Sequence, residues 1–355
     1  MKQVWTILKR IGKFLLWTIL VLGLLIGSFF IWLRFEPAEV TECEAGFKLI
    51  NHFDGADCVP EQTDKVLVNN AGISQFFAWV EQPAVIQENS LDRYTAADIP
   101  GLYERLIEVN TDVPDAGRLD GIRSGLELFV EIDVDLMITT GLMPSDVGKM
   151  IETIIPIVVL DPTGSWKEHM LIASEFIDER QEAERLIREY EERVEILQAQ
   201  FDDPSGITIS SARIFPTRTS VQLPGSFAGQ VLSDVGFSLP EAQYEIAEEV
   251  PHARIFDLSE ERIDLLDADY LFLFGGISDE ELAYAGTPSD EIVAAFQSDP
   301  LYGFLSAVEA GNDHEVDLYW SAPGIYSAHY MLDDLFRYVA GVDPEEVAPN
   351  PLKLE

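Results

Sequence analysis

Five histidines, two cysteines and 63 acidic residues are the chain's obvious reactive material, and their spacing supports little chemistry. His52, His169, His252, His314 and His329 are scattered, and no two share the H-E-x-x-H spacing that puts both imidazoles on one helix face. A direct zinc or manganese site is therefore not expected. The carboxylates are too dispersed to single out an acid–base pair. In Gly225-Ser226-Phe227-Ala228-Gly229 the serine follows the glycine directly, which is not the G-x-S-x-G elbow that exposes a nucleophile. Neither a G-x-G-x-x-G turn nor a phosphate-cradling P-loop occurs. The residues point away from an enzyme, and no cofactor is expected.

Arginine and aromatic side chains remain. Guanidinium forks match paired anionic oxygens, and flat rings make walls for a bulky ligand. The charge balance makes each arginine informative. The formal net charge is −40; all 63 acidic residues but only 18 of the 23 basic ones lie beyond position 35, leaving −45 there. Such a surface repels nucleic acid and anionic lipid. Any anion site must come from a few clustered arginines working against that background.

The elements that would position such a cluster can be read from hydrophobic periodicity. Apolar, β-branched runs predict strands at 65–68, 136–139, 154–160, 207–214, 270–274 and 316–319. Several are almost wholly apolar, as parallel strands covered on both faces are. Alternation with amphipathic stretches predicts an α/β fold with parallel sheets. Residues 178–200 predict one long helix, with Ala183, Leu186, Ile187, Tyr190, Val194 and Leu197 on its apolar face. Glu184 with Arg188 and Glu189 with Arg193 are expected as i,i+4 pairs on the other face. At ~1.5 Å per residue this helix would be about 34 Å long, a strut rather than a crossover. Residues 127–138 and 261–272, on either side of it, repeat a pattern. Each has Glu first, apolar residues two and five later, and Asp six and eight later, leading into an apolar run. The repeat implies two copies of one helix–turn–strand unit.

The first thirty-five residues differ. Residues 14–33 carry no charge, long enough at ~1.5 Å per residue to span the ~30 Å core of a bilayer. Lys2, Lys9, Arg10 and Lys13 precede them, and Glu36, Glu39 and Glu42 follow. That asymmetry predicts a cytoplasmic N-terminus, a single-pass anchor and an extracytoplasmic remainder. A cleaved signal peptide is the alternative, but its small-residue cleavage pattern is missing. Cys43 and Cys58 then lie in an oxidising compartment and are expected to form a disulfide closing a short loop, worth ~3 kcal/mol; two unrelated buried thiols are the alternative.

A series of short segments adds a resemblance. Ile50-Asn51-His52-Phe53-Asp54-Gly55, Cys58-Val59-Pro60 and Lys65-Val66-Leu67-Val68 come first. Gly125-Leu126-Glu127 through Asp135-Leu136-Met137-Ile138 follows, with Val134 where a proline is usual. Ile154-Ile155-Pro156-Ile157-Val158 precedes Trp166-Lys167-Glu168. Gly225-Ser226-Phe227-Ala228-Gly229, Leu258-Ser259 through Asp269, Asp299-Pro300-Leu301-Tyr302 and Tyr319-Trp320 complete the order. From about Cys43 to Val339 the chain resembles the periplasmic iron-siderophore-binding proteins of ABC importers. That family is usually secreted free or lipid-tethered, so a transmembrane anchor is a departure.

The resemblance implies two Rossmann-like lobes with parallel sheets joined by a single long α-helix. The implied organisation is 1–35 anchor, 36–177 first lobe, 178–200 inter-lobe helix and 201–355 second lobe. It implies a ferric siderophore or similar chelate bound between the lobes and delivered to ABC permease subunits. Arg118 or Arg123 in the first lobe, and Arg213 and Arg218 in the second, become the candidate anion contacts. Tyr319, Trp320 and Tyr326 become candidate walls, with Trp79 a weaker one. The repeated Glu127 and Glu261 become candidate docking points for arginines of the permease, helix-start chemistry being the alternative. A vitamin B12 or haem carrier shares the architecture, and a two-lobed chelatase-like enzyme is the reading from another class.

Overall fold

The computed structural model describes residues 42–53, 55–86, 99–110, 134–140, 150–151, 153–275 and 289–354. Phe47–His52 (β1) and Gly55–Pro60 (β2) pair as an antiparallel hairpin. Cys43 and Cys58 are both disulfide-bonded, as their pairing in the sequence led us to expect. Among the described residues no helix is long and apolar enough to cross a membrane, and the run at 14–33 lies outside them.

The first sheet follows. Val66–Asn69 (β3) leads into Ala71–Trp79 (α1), then Ala84–Ile86 (β4), Leu102–Val109 (α2), Leu136–Thr140 (β5), Ile157–Leu160 (β6) and Trp166–Phe176 (α3). Its order is β4-β3-β5-β6, parallel throughout. Alternate residues feed two cores: Val66, Val68, Leu136, Ile138 and Val158 on one face, Leu67, Val85, Met137, Ile157 and Val159 on the other. This two-sided burial is why these strands read as unbroken apolar runs. The expected strand from 154 begins only at Ile157, because a turn closed by Ile154 and Ile155 N–H groups on Ile151 O occupies the stretch before Pro156.

Arg180–Gln198 (α4) is the long helix, and all six residues assigned to its apolar face are buried. Its surface pairs differ from the expected ones: Arg180 bonds Glu184, and Arg185 bonds Glu182 and Glu189. Arg193 does not reach back to Glu189. It is only 4% exposed and turns inward, towards His329 and Asp333.

The second sheet is mixed. It comprises Ile209–Phe215 (β7), Arg218–Gln222 (β8), Phe227–Val235 (α5), Glu241–Glu249 (α6), Ile255–Leu258 (β9), Tyr270–Gly275 (β10), Ser289–Gln297 (α7), Ser306–Ala310 (α8) and Asp313–Glu315 (β11). The order is β11-β10-β7-β8-β9; β10 is parallel to β7 and β11, but β8 runs antiparallel to both neighbours. Parallel pairing thus holds for the first sheet and only part of the second. The edge strand is Asp313–Glu315, not 316–319; there Leu318–Ser321 form a 3-10 turn whose side chains fill the core.

Ile325–Asp334 (α9), continuing through one π-helical turn to Val339, and Pro344–Val347 (α10) close the chain. α9 packs on α4 and α1, so the C-terminal segment returns to helices preceding the second sheet. One core cluster extends from β3 and β5 through α4 and α5 to Phe272, Phe274 and Trp320 of the second half. The two sheets are bonded through shared apolar packing around the helix, not merely tethered by it.

Candidate ligand-binding site

β7 ends where the second sheet turns. Side chains alternate along a strand, so Ser211, Arg213 and Phe215 share one face, while Ala212 and Ile214 enter the opposite core. A two-residue turn at Pro216 and Thr217 folds the chain back, setting Arg218 opposite Phe215 and Ser220 opposite Arg213. β9 extends the row by placing Asp257 opposite Ser220. One sheet face at the carboxyl end of β7 therefore gathers Arg213, Phe215, Arg218, Ser220 and Asp257 from three strands.

The two guanidiniums converge on one ring. Arg213 Cζ lies 4.7 Å and Arg218 Cζ 4.1 Å from the centroid of Phe215, itself only 7% exposed. The ring's negative face attracts both cations. Arg218 Nη1 also donates to Asp257 Oδ2 at 3.1 Å, and the Ser220 hydroxyl donates to Asp257 Oδ1. A groove of about 600 Å³ beside the same turn lies mainly on the other face of the sheet, where Ile214, Thr219 and Leu258 point towards Ile263, Ile292 and Phe296; Arg213 does not line it. The two guanidiniums can hold anionic oxygens beside the flat Phe215 ring.

The candidate walls are placed differently. Trp320 is fully buried, stacked 4.4 Å from Phe272 with its Nε1 donating to Asp334 Oδ2 at 2.9 Å. Tyr319 is 6% exposed and donates to the same oxygen at 2.7 Å. Phe272 pairs with Ser211 and Phe274 with Arg213, so Trp320 stacks on the strand residue level with Ser211, not on one level with the arginines. Tyr326 is fully buried and packs edge-on against Trp79 at 6.2 Å; burial pushes its phenol up to about 12. Trp79 is held by Glu182, which accepts from its Nε1 at 2.6 Å. The three rings chosen as ligand walls are core packing, because their large apolar bodies fill space between helices and sheet.

Arg118, Arg123 and Glu127 lie outside the described residues. Glu261 is exposed, in the 3-10 segment Glu260–Leu266. Sequence reasoning missed Phe215, Ser220 and Asp257. Phe215 could have been found by strand alternation from Arg213, whereas Asp257 depends on a register set across β8.

Three of the histidines, His52, His169 and His329, have local polar partners. His52 bonds Asp57 at 2.7 Å, and His169 Nε2 meets Asp161 O at 2.8 Å. Burial holds His169 below the ordinary imidazole value, and burial with the Arg193 charge holds His329 well below it. Among the described residues no group of three or more His, Cys, Asp or Glu side chains could hold a metal ion.

No family model matches the chain. It is 28% identical over 217 residues to a probable siderophore-binding lipoprotein, YfiY, of Bacillus subtilis (strain 168), covering 60% of this chain and 65% of the relative's length. It is 26% identical over 250 residues to the achromobactin-binding periplasmic protein of Dickeya dadantii (strain 3937), covering 68% and 76%. Among solved structures, Staphylococcus aureus SirA complexed with staphyloferrin B aligns with a TM-score of 0.65 at 18% identity, over 82% of this chain and 98% of that one. Bacillus subtilis FeuA complexed with ferri-bacillibactin aligns at 0.63 and 17%, over 83% and 98%. The resemblance to siderophore-binding proteins read from the residues is borne out by these relatives, and the fold is theirs.

Proposed function

We propose that this chain is an extracytoplasmic substrate-binding protein that captures a ferric siderophore and delivers it to an ABC permease, without turning anything over. The observation that carries this reading is the convergence of Arg213 and Arg218 on Phe215 at the carboxyl end of β7. In a chain of net charge −40, two guanidiniums set on one buried ring are a built anion contact rather than scattered surface charge. The ends of sheet strands are where α/β folds bind ligands. The siderophore-binding relatives and the shared fold supply the cargo class. Arg118 and Arg123 remain the first-lobe candidates.

The charge-free run at 14–33 supports a single-pass membrane anchor with the binding unit outside. Exposed Glu261, with Glu127, supports docking on the permease. Titration of the full chain in detergent with a panel of ferric siderophores tests the central reading. Binding should quench tryptophan fluorescence, and Arg213→Ala should weaken an anionic chelate by roughly 1.5–3 kcal/mol for one charged hydrogen bond. Absence of binding across the panel would overturn it.

A further inference from the structure

The Arg218–Asp257 pair is too exposed to matter much for the fold: its side chains are 41% and 52% accessible. Exposed ion pairs of this kind add little stability. Its geometry is more specific than that. Asp257 closes a cross-strand row, with Arg213 opposite Ser220 and Ser220 opposite Asp257. Ser220 is 1% exposed, and its hydroxyl holds Asp257 Oδ1 from within the sheet. The carboxylate then takes Arg218 Nη1 at 3.1 Å, with Arg218 Cζ 4.1 Å from the Phe215 centroid. A continuous chain of contacts runs from a buried serine to an exposed guanidinium.

We propose that Asp257 is a positioning residue for ligand capture, fixing Arg218 over Phe215 beside Arg213 so that an anionic ferric chelate meets a preformed cationic face. The inference rests on the reading of these arginines as ligand contacts. A free arginine side chain surrenders its rotamer freedom when a ligand immobilises it; one already held has lost that freedom before binding.

Simple electrostatics gives the opposite expectation, which makes the test a matter of sign. Asp257 is itself an anion near the site, so charge alone predicts that removing it tightens an anionic ligand. Positioning predicts weakening. The experiment measures the affinity of the full chain for ferric citrate and for a ferric tris-catecholate, in Asp257→Ala, Arg218→Ala and the double variant. The expected result is an about three- to tenfold weakening by Asp257→Ala, absent in the Arg218→Ala background. Ser220→Ala should weaken binding in the same direction by less, and Asp257→Asn, which keeps an acceptor oxygen, should recover part of the loss. Tightening, or equal weakening in both backgrounds, overturns the proposal. Side-chain 15N relaxation at Arg218 Nε decides the positioning without any chelate: the nitrogen should be ordered in the parent and mobile in Asp257→Ala, and unchanged order overturns it. Failure of the ligand reading shows separately, as a parent protein that binds neither chelate while Arg218 still loses order.

Discussion

Asp135 and Asp269 perform the same task in the two halves of the molecule. Asp135 Oδ2 accepts the backbone N–H groups of Asp64 and Lys65, each at 2.9 Å, just before β3. Asp269 Oδ2 accepts the Thr208 N–H and hydroxyl, each at 2.8 Å, just before β7. Each aspartate's own N–H returns to the same neighbour, Lys65 O at 2.9 Å and Thr208 O at 3.1 Å. The repeated carboxylate thus fastens the start of one parallel strand to the start of the next, β3 to β5 and β7 to β10. This is why the repeat keeps a polar residue where its neighbours are apolar.

Loss of either clamp should cost similar stability. Asp135→Ala and Asp269→Ala are each expected to destabilise by about 1–2 kcal/mol, the partly solvated value for charge-assisted hydrogen bonds. Urea unfolding at neutral pH measures both. A cost at one site and none at the other would show that the two halves do not share the device.

Arg193 should be far more costly to remove. Its Nε donates to Ala348 O at 3.0 Å, Nη1 to His329 O at 3.0 Å, and Nη2 to Asp333, binding the C-terminal segment to α4. Asp333 also accepts from Asn350 Nδ2 at 3.2 Å. Arg193→Ala leaves a buried carboxylate without its cation and is expected to cost about 3–5 kcal/mol. Arg193→Met with Asp333→Leu should recover at least half of that in the same unfolding assay, since neither charge then remains buried.

Asp334 predicts a pH dependence. Burial raises its carboxyl to about 6, although Trp320, Tyr319 and Arg337 all pull it down. A carboxyl raised in the folded state holds its proton more tightly there than in the unfolded chain. Its contribution to stability is therefore greatest below about pH 4, falls through the interval up to about 6, and stays at its least above that. Asp334→Asn keeps an oxygen for both donors but cannot ionise. Relative to the parent it should gain up to about 3 kcal/mol at pH 7.5 and nothing at pH 4, read from urea midpoints at the two values. A difference independent of pH would assign the effect to packing.

Charge reversal separates docking from binding. Glu127→Arg with Glu261→Arg should leave chelate affinity and the urea midpoint unchanged while abolishing uptake of iron-labelled chelate by cells. Normal uptake would reduce both residues to helix-start chemistry; loss of chelate affinity would move them into the pocket.

Much of the scaffold was legible in the residues. The buried face of α4, the all-apolar strands of the first sheet and the repeat ending in Asp135 and Asp269 are local patterns, and burial on a helix or strand face leaves a period in the sequence. The paired cysteines and the arginines around the turn after β7 were visible as residue types. Tertiary structure alone decided what those types do. Trp320 and Tyr326 have the composition of ligand walls, yet the space between sheet and helices takes their rings into the core. Arg193 has the spacing of a surface pair, yet the returning α9 offers it acceptors that outcompete Glu189. The half-exposed Asp-His-Glu edge strand β11 has no apolar signature at all. Asp257 stands beside Arg218 only because β8 runs antiparallel between β7 and β9. Periodicity records which residues are shielded from water, but partners distant in the chain are set by register and packing, which no local pattern encodes.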